Sequence, residues 1–307
     1  MHRVDDLDVR IFRELGSASS LQWNVRETYS GIARRIGIDE ETVRRRMKKA
    51  EALGSIIGWK MMINPHLIAC EASGIDLEVD DETEKDRVLE KLRLFRGIVK
   101  ILNFRGTGLQ ITLYHRDGEL EEKVRSIRSI CSSPSEPIVW RMTFPRSSAK
   151  ITVTDWKILL EMLGDARKSL ETASKATGIS VRTITRRLSR LVDERGVYLQ
   201  GVPNFQNFAG LSYVFLIMCP EPTRKKKVDQ DILSNVSRIE IVNTSSEDVS
   251  TFVTMFENLS QVDGVTKYLR SLDGVSIVKT GIMKELIAVQ DWLEDEIEKR
   301  IAQSSAA

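Results

Sequence analysis

Two stretches of this sequence carry basic side chains at helical spacing, in an arrangement that suits a polyanionic partner. In the first, Val43, Met47 and Ala50 share one side of a helical wheel at 100° per residue. Glu41, Arg45 and Lys48 then point away, with Arg44 and Lys49 on the flanks. In the second, Ile184, Leu188 and Leu191 define the buried side. Arg182, Arg186 and Ser189 point away, flanked by Thr183, Thr185 and Arg190. Arginine pairs with guanine edges, while lysine, serine and threonine reach phosphates, so the chemistry implied is contact with double-stranded DNA. A charged helix face is more often simply solvated, but the charge distribution argues against that here. Residues 1–60 hold 12 Lys/Arg against 9 Asp/Glu, and residues 150–204 hold 10 against 6. The chain as a whole is only +2, so the remainder is acidic. Positive charge is confined to the two stretches that carry these helices.

The two stretches differ. The first helix opens Asp39-Glu40-Glu41, acids that suit the helix dipole but repel phosphate. The second has no acid between Ser180 and Val192 and is the better candidate reader of bases.

Other chemistries find little support. Three scattered cysteines (Cys70, Cys131, Cys219) and three histidines (His2, His66, His115) form no metal-ligand spacing, so neither a metal nor another cofactor is expected. The loop Arg105-Gly106-Thr107-Gly108 is too short, and lacks the lysine, for a nucleotide-binding P-loop. No run of apolar residues reaches membrane-spanning length and the N-terminus lacks a secretory h-region, which predicts a cytoplasmic protein.

These helices are positioned by an internal repeat. Residues 32–49, IARRIGIDEETVRRRMKK, align without a gap on residues 173–190, ASKATGISVRTITRRLSR. Gly37 falls on Gly178, Arg45 on Arg186 and Arg46 on Arg187 at a constant spacing of 141 residues. Each copy reads as three helices with a glycine turn before the third, capped by Asp39 or Ser180. Leu7, Ile11 and Leu15 stripe the first helix, which stops at Gly16. Trp156, Leu159 and Leu163 stripe its counterpart, with Thr154 expected as N-cap. The segments Ile56–Ile63 and Val197–Val202 are expected to form a two-stranded hairpin, or wing, in each copy. Strand and helix then alternate in βαββαβ order, the split βαβ of ferredoxin-like modules. Residues 286–301 predict a closing acidic helix.

The run IARRIGIDEETVRRRMKKAEALGSIIGWKMMINP resembles the winged helix-turn-helix of the Lrp/AsnC (leucine-responsive, feast-famine) transcription regulators. The likeness lies in the Gly37-Ile38 turn, the basic third helix, the pattern Gly54-Ser55-Ile56-Ile57-Gly58-Trp59 and the closing Asn64-Pro65. The resemblance implies an α+β chain of two tandem units, each a winged helix-turn-helix followed by a ferredoxin-like domain. The boundaries expected are 1–65 and 66–147 for the first unit, 148–207 and 208–307 for the second. Ordinary members carry one unit and dimerise, so the two α/β modules are expected to pair by their sheet faces within one chain, as a pseudo-dimer. A homodimer through the closing helix is the further possibility. The resemblance also implies a sequence-specific transcription regulator with an effector, such as an amino acid, near Arg105, Gly106, Thr107 and Gly108. The Asp expected shortly after that glycine is missing. Two alternatives stand beside this reading. One is an enzyme like the siroheme decarboxylases, which resemble this family but rely on histidine and arginine clusters, whereas only His115 sits in a strand context. The other is an architectural protein that binds DNA without sequence preference.

Overall fold

The computed structural model describes residues 5–16, 24–243 and 246–305; His2 and the side chain of Leu15 lie outside the described residues. The first unit opens with helices α1 (Asp6–Gly16), α2 (Tyr29–Ile36) and α3 (Glu40–Ala52). The second opens with α6 (Val153–Leu163), α7 (Leu170–Thr177) and α8 (Val181–Asp193). Gly37 and Gly178 end α2 and α7 at φ 73° and 70°, a left-handed turn that a side chain would strain. Asp39 and Ser180 cap the third helices, as expected, by accepting from the backbone N–H of Thr42 and Thr183. The cap of α6 differs from expectation. It is Thr152, not Thr154, and forms a reciprocal capping box with Asp155.

The expected wings are corrected by the structure. β1 (Ile56–Ile63) and β6 (Val197–Pro203) do not fold back as separate hairpins; they pair with each other, antiparallel. Each segment is one continuous strand without a turn inside it, so its edge must find a partner elsewhere. The register sets Trp59 opposite Gly201 and Lys60 opposite Gln200. Under the repeat spacing Trp59 corresponds to Gln200 and Lys60 to Gly201, so the midpoint of the ribbon is a local two-fold axis relating the two units.

The ferredoxin-like modules follow. The first holds β2 (Glu71–Glu78), α4 (Lys85–Arg93), β3 (Ile98–Phe104), β4 (Gly108–His115), α5 (Leu120–Cys131) and β5 (Ile138–Met142). The second holds β7 (Leu211–Met218), α9 (Pro222–Asn235), β8 (Ile239–Asn243), β9 (Val249–Phe256), α10 (Leu259–Ser271) and β10 (Ile277–Ala288). The strand order is β5-β2-β4-β3-β10-β7-β9-β8. Strand β10 belongs to both modules, since Ile277–Ile282 pairs with β7 and Met283–Ala288 pairs with β3. The closing helix α11 (Asp291–Ser305) therefore starts later than expected, because Leu286, Ile287 and Ala288 are taken up in the strand.

The sheet folds over on itself. Strands β4 and β9 are four steps apart in the order, about 19 Å in a flat sheet. Yet Gln110 Nε2 donates to Thr251 Oγ1 at 3.5 Å, and Lys279 on β10 pairs with Asp76 on β2 at 2.7 Å. The two modules thus meet by their helix-free faces, as expected, with α4–α5 and α9–α10 packed outside over separate cores. Trp292, Leu293 and Ile297 of α11 join the core of the helix-turn-helix units.

Candidate nucleic-acid interface

Helices α3 and α8 bury the residues the wheel assigned to their inner faces: Val43, Met47 and Ala50; Ile184, Leu188 and Leu191. Arg45, Lys48 and Lys49 are exposed on α3, and Arg182, Thr185, Arg186 and Ser189 on α8. Among the described residues no carboxylate forms an ion pair with Arg182, Arg186, Arg45, Lys48 or Lys49. The first turn of α8 carries no acid.

Three of the expected contact residues are already engaged. Arg44 pairs with Glu40 and Glu41 on its own helix. Arg190 is drawn inward to Asp155 at 2.8 Å, so it anchors the helix instead of extending from it. Thr183 belongs to the Ser180 cap, its hydroxyl accepting from Ser180 Oγ at 3.0 Å. Thr185 back-bonds to Val181 O at 2.9 Å yet remains exposed. The exposed cations that remain differ between the units: two arginines on α8, one arginine and two lysines on α3.

What holds the helices in place was less evident from the sequence. Arg46 Nη1 bonds Asp8 at 2.8 Å and Asp5 at 2.7 Å, tying α3 to the start of α1. Its repeat equivalent Arg187 bonds Asp155 at 3.0 Å, tying α8 to α6. Burial pushes the Asp155 carboxyl up, but the Thr152 and Arg187 hydrogen bonds outweigh it and leave the group below the usual carboxylate range. The alignment of Arg46 on Arg187 was the available signal.

The two units also cap one another. Asn207 Nδ2 donates to the carbonyls of Leu53 and Gly54 at the end of α3, both at 3.0 Å. Asn64 Nδ2 donates to Arg195 O, beyond the end of α8, at 2.9 Å. A second set of links joins the α1–α2 and α6–α7 loops. Arg26 donates to Ala166 O and Lys168 O, Arg167 donates to Glu27 O, and the Arg167 guanidinium lies over Trp59 at 4.9 Å.

The Arg105–Gly108 turn closes on itself. Lys85 Nζ donates to the carbonyls of Phe104, Gly106 and Gly108, and Gly106 N–H bonds Glu82. Burial pushes Lys85 down to about 8. The backbone groups of the turn are used internally, as in a plain hairpin turn, while the Arg105 side chain is exposed. His115 is likewise committed, with Nε2 on Ser73 Oγ at 2.9 Å and Nδ1 on Arg116 O at 3.1 Å. Among the described residues no cluster of His, Cys, Asp and Glu could hold a metal, and no helix is long and apolar enough to cross a membrane.

The arrangement is a duplicated winged helix-turn-helix fold, an α+β chain of two tandem units, in the element order that the Lrp/AsnC resemblance implied. Residues 151–195 match a family described as winged helix-turn-helix DNA-binding. Over 103 residues the chain is 30% identical to the HTH-type transcriptional regulator Ptr1 of Methanocaldococcus jannaschii, covering 34% of this chain and 66% of that one. Over 127 residues it is 28% identical to an uncharacterized HTH-type transcriptional regulator of Pyrococcus furiosus, covering 41% and 72%. Along nearly its whole length it is similar in fold to the siroheme decarboxylase NirDL, at TM-score 0.55 and 12% identity, covering 98% of this chain and 99% of that one.

Proposed function

We propose that the chain is a sequence-specific DNA-binding transcription regulator that acts as an internal pseudo-dimer. The observation that carries this reading is a pair of recognition helices with unpaired exposed cations, held about a two-fold axis by the β1–β6 ribbon. Helix-turn-helix dimers use such an axis to place two helices in successive major grooves. Here α8 is the base reader, through Arg182 and Arg186, and α3 mainly grips backbone through Lys48 and Lys49. Transcription regulators among the relatives support the reading.

Binding titrations on a DNA site selected from a random library, against unrelated DNA, test it. Arg182→Ala or Arg186→Ala should cost about 1–3 kcal/mol on the selected site only. Lys48→Ala or Lys49→Ala should weaken both DNAs alike and reduce the salt slope by about one. Glu41→Gln should leave binding unchanged or tighten it. Selective loss with Glu41→Gln while Arg182→Ala is silent would reverse the roles of the two helices. Equal affinity for both DNAs in the parent protein would make it architectural.

A second reading rests on the full-length likeness to the siroheme decarboxylase NirDL. The commitment of both His115 nitrogens weighs against an enzymatic role for that histidine. Incubation with siroheme should give no spectral change and no released CO₂; turnover would establish the enzyme.

A further inference from the structure

Cations crowd around one buried carboxylate where α11 meets the first module. The Glu296 side chain is 3% exposed. Its Oε1 accepts from Arg96 Nη2 at 3.4 Å and Lys299 Nζ at 3.3 Å. Its Oε2 accepts from Arg116 Nη2 at 3.2 Å and Arg300 Nη1 at 3.0 Å. Lys123 joins from α5, donating to Arg96 O at 2.9 Å and lying 3.6 Å from Glu119. Among the described residues, the carboxylates that pair with these five cations are Glu296 and Glu119, which leaves positive charge in surplus.

Glu296 does not need so many partners. Lys299 and Arg300 reach it from its own helix, and Arg300 is further fixed by donating to Ile68 O at 3.0 Å and lying over Trp156 of α6 at 5.6 Å. Arg96 and Arg116 come from two separate turns, α4–β3 and β4–α5, and their side chains are 63% and 51% exposed. The repeat shows that the fold does not call for them. At the repeat spacing, beside the same ends of β8 and β9, stand Ser237 and Glu257. Reaching the two oxygens of one carboxylate holds the guanidiniums close together, with most of their N–H donors unused among the described residues. Like charges so placed repel, and an oxyanion bridging them relieves the repulsion.

We infer that this cluster binds a small multivalent oxyanion of the phosphate class, such as the diphosphate group of a metabolite. The anion bridges Arg96 and Arg116, with Lys123 and Lys299 beside it. A monocarboxylate leaves most of the surplus charge unmatched, whereas a diphosphate takes it up. The site shares no residue with the Arg105–Gly108 turn or with the basic faces of α3 and α8, and the inference stands without the regulator reading.

Calorimetric titration of the full chain with inorganic pyrophosphate, at an ionic strength fixed with sodium chloride, tests this against acetate. Pyrophosphate should bind at one site per chain, and acetate should bind at least about ten-fold more weakly. Arg96→Ser, which places there the residue type the repeat already tolerates, and Arg116→Ala should each weaken pyrophosphate binding about ten-fold in protein whose thermal unfolding is still cooperative. The Lys48→Ala, Lys49→Ala double variant should bind it as the parent does. Absence of pyrophosphate binding by the parent would overturn the inference. So would binding lost in the lysine variant and kept in Arg96→Ser, which would put the anion on α3. DNA affinity of the arginine variants, measured without pyrophosphate, should match the parent. A weaker affinity with a smaller salt slope would make these arginines contacts to DNA phosphates and overturn the inference as well. Pyrophosphate binding is read without DNA, so a failure of the regulator reading is seen separately.

Discussion

Arg46 and Arg187 show what a single side chain does in this fold. On a wheel they lie nearer the buried face than Arg44 or Arg190, about 60° from Val43 and Ile184, but nothing local names what they meet there. The structure turns them inward, onto Asp8 and Asp155, whose side chains are 3% and 0% exposed. The repeat preserves both arginines, but their partners sit on another helix, so the sequence showed the recurrence and not its cause. Arg187→Met leaves Asp155 buried with fewer partners and should cost about 3 kcal/mol of stability, read by denaturant titration, with little change in the salt slope of DNA binding. The Asp155 carboxyl is depressed in the fold. Its contribution is therefore present above the unfolded pKa, near 3.8, and is lost as pH falls through the lower folded value. The parent should lose stability in that acidic window more steeply than Asp155→Asn. Arg195 gives a test of opposite sign. It adopts φ 54°, where its repeat equivalent is Gly54 at φ 62°. Only its backbone is needed there, so Arg195→Gly should be neutral to stabilising, by up to about 1 kcal/mol in thermal unfolding.

At the scale of elements, helix positions and inner faces were legible because 3.6-residue periodicity and caps are local signals. Strand partnership was not. Nothing in Ile56–Ile63 says whether it turns back or meets a strand more than a hundred residues away, and both options satisfy the same apolar pattern. The closing helix was misplaced for a related reason: Leu286, Val289 and Leu293 fit a helical stripe, but Leu286 is held by β3 in the sheet. The inter-unit caps were equally hidden, since Asn64 reads locally as a turn residue. Asn207→Ala removes the side-chain donor at the end of α3 and should cost about 1 kcal/mol. It should also let the two helix-turn-helix units shift relative to each other, visible as faster amide exchange in Leu53–Ile56 without loss of the ferredoxin-like cores.

The whole molecule is a dimer architecture written into one chain. Duplication was plain in the sequence, and so was the need to cover each module's bare sheet face; the strand β10 shared between the modules was not. Residues 1–147 alone would leave β1 and the inner face of the first module uncovered, with Met61, Met62 and Ile63 exposed. Light scattering should find that fragment paired with itself, while a monomeric fragment with a packed core would mean the first unit has no need of its partner. The central claim is that one pseudo-dimer grips DNA with both recognition helices, α8 reading bases and α3 holding backbone. The most direct measurement is the affinity of the full chain for its selected site as the duplex flanking the α8 half-site on the α3 side is trimmed to less than about one helical turn. The pseudo-dimer predicts that affinity falls when that flank is lost, whatever its sequence, and that the Lys48→Ala, Lys49→Ala double variant no longer senses the loss. Affinity of the parent indifferent to the flank would contradict it.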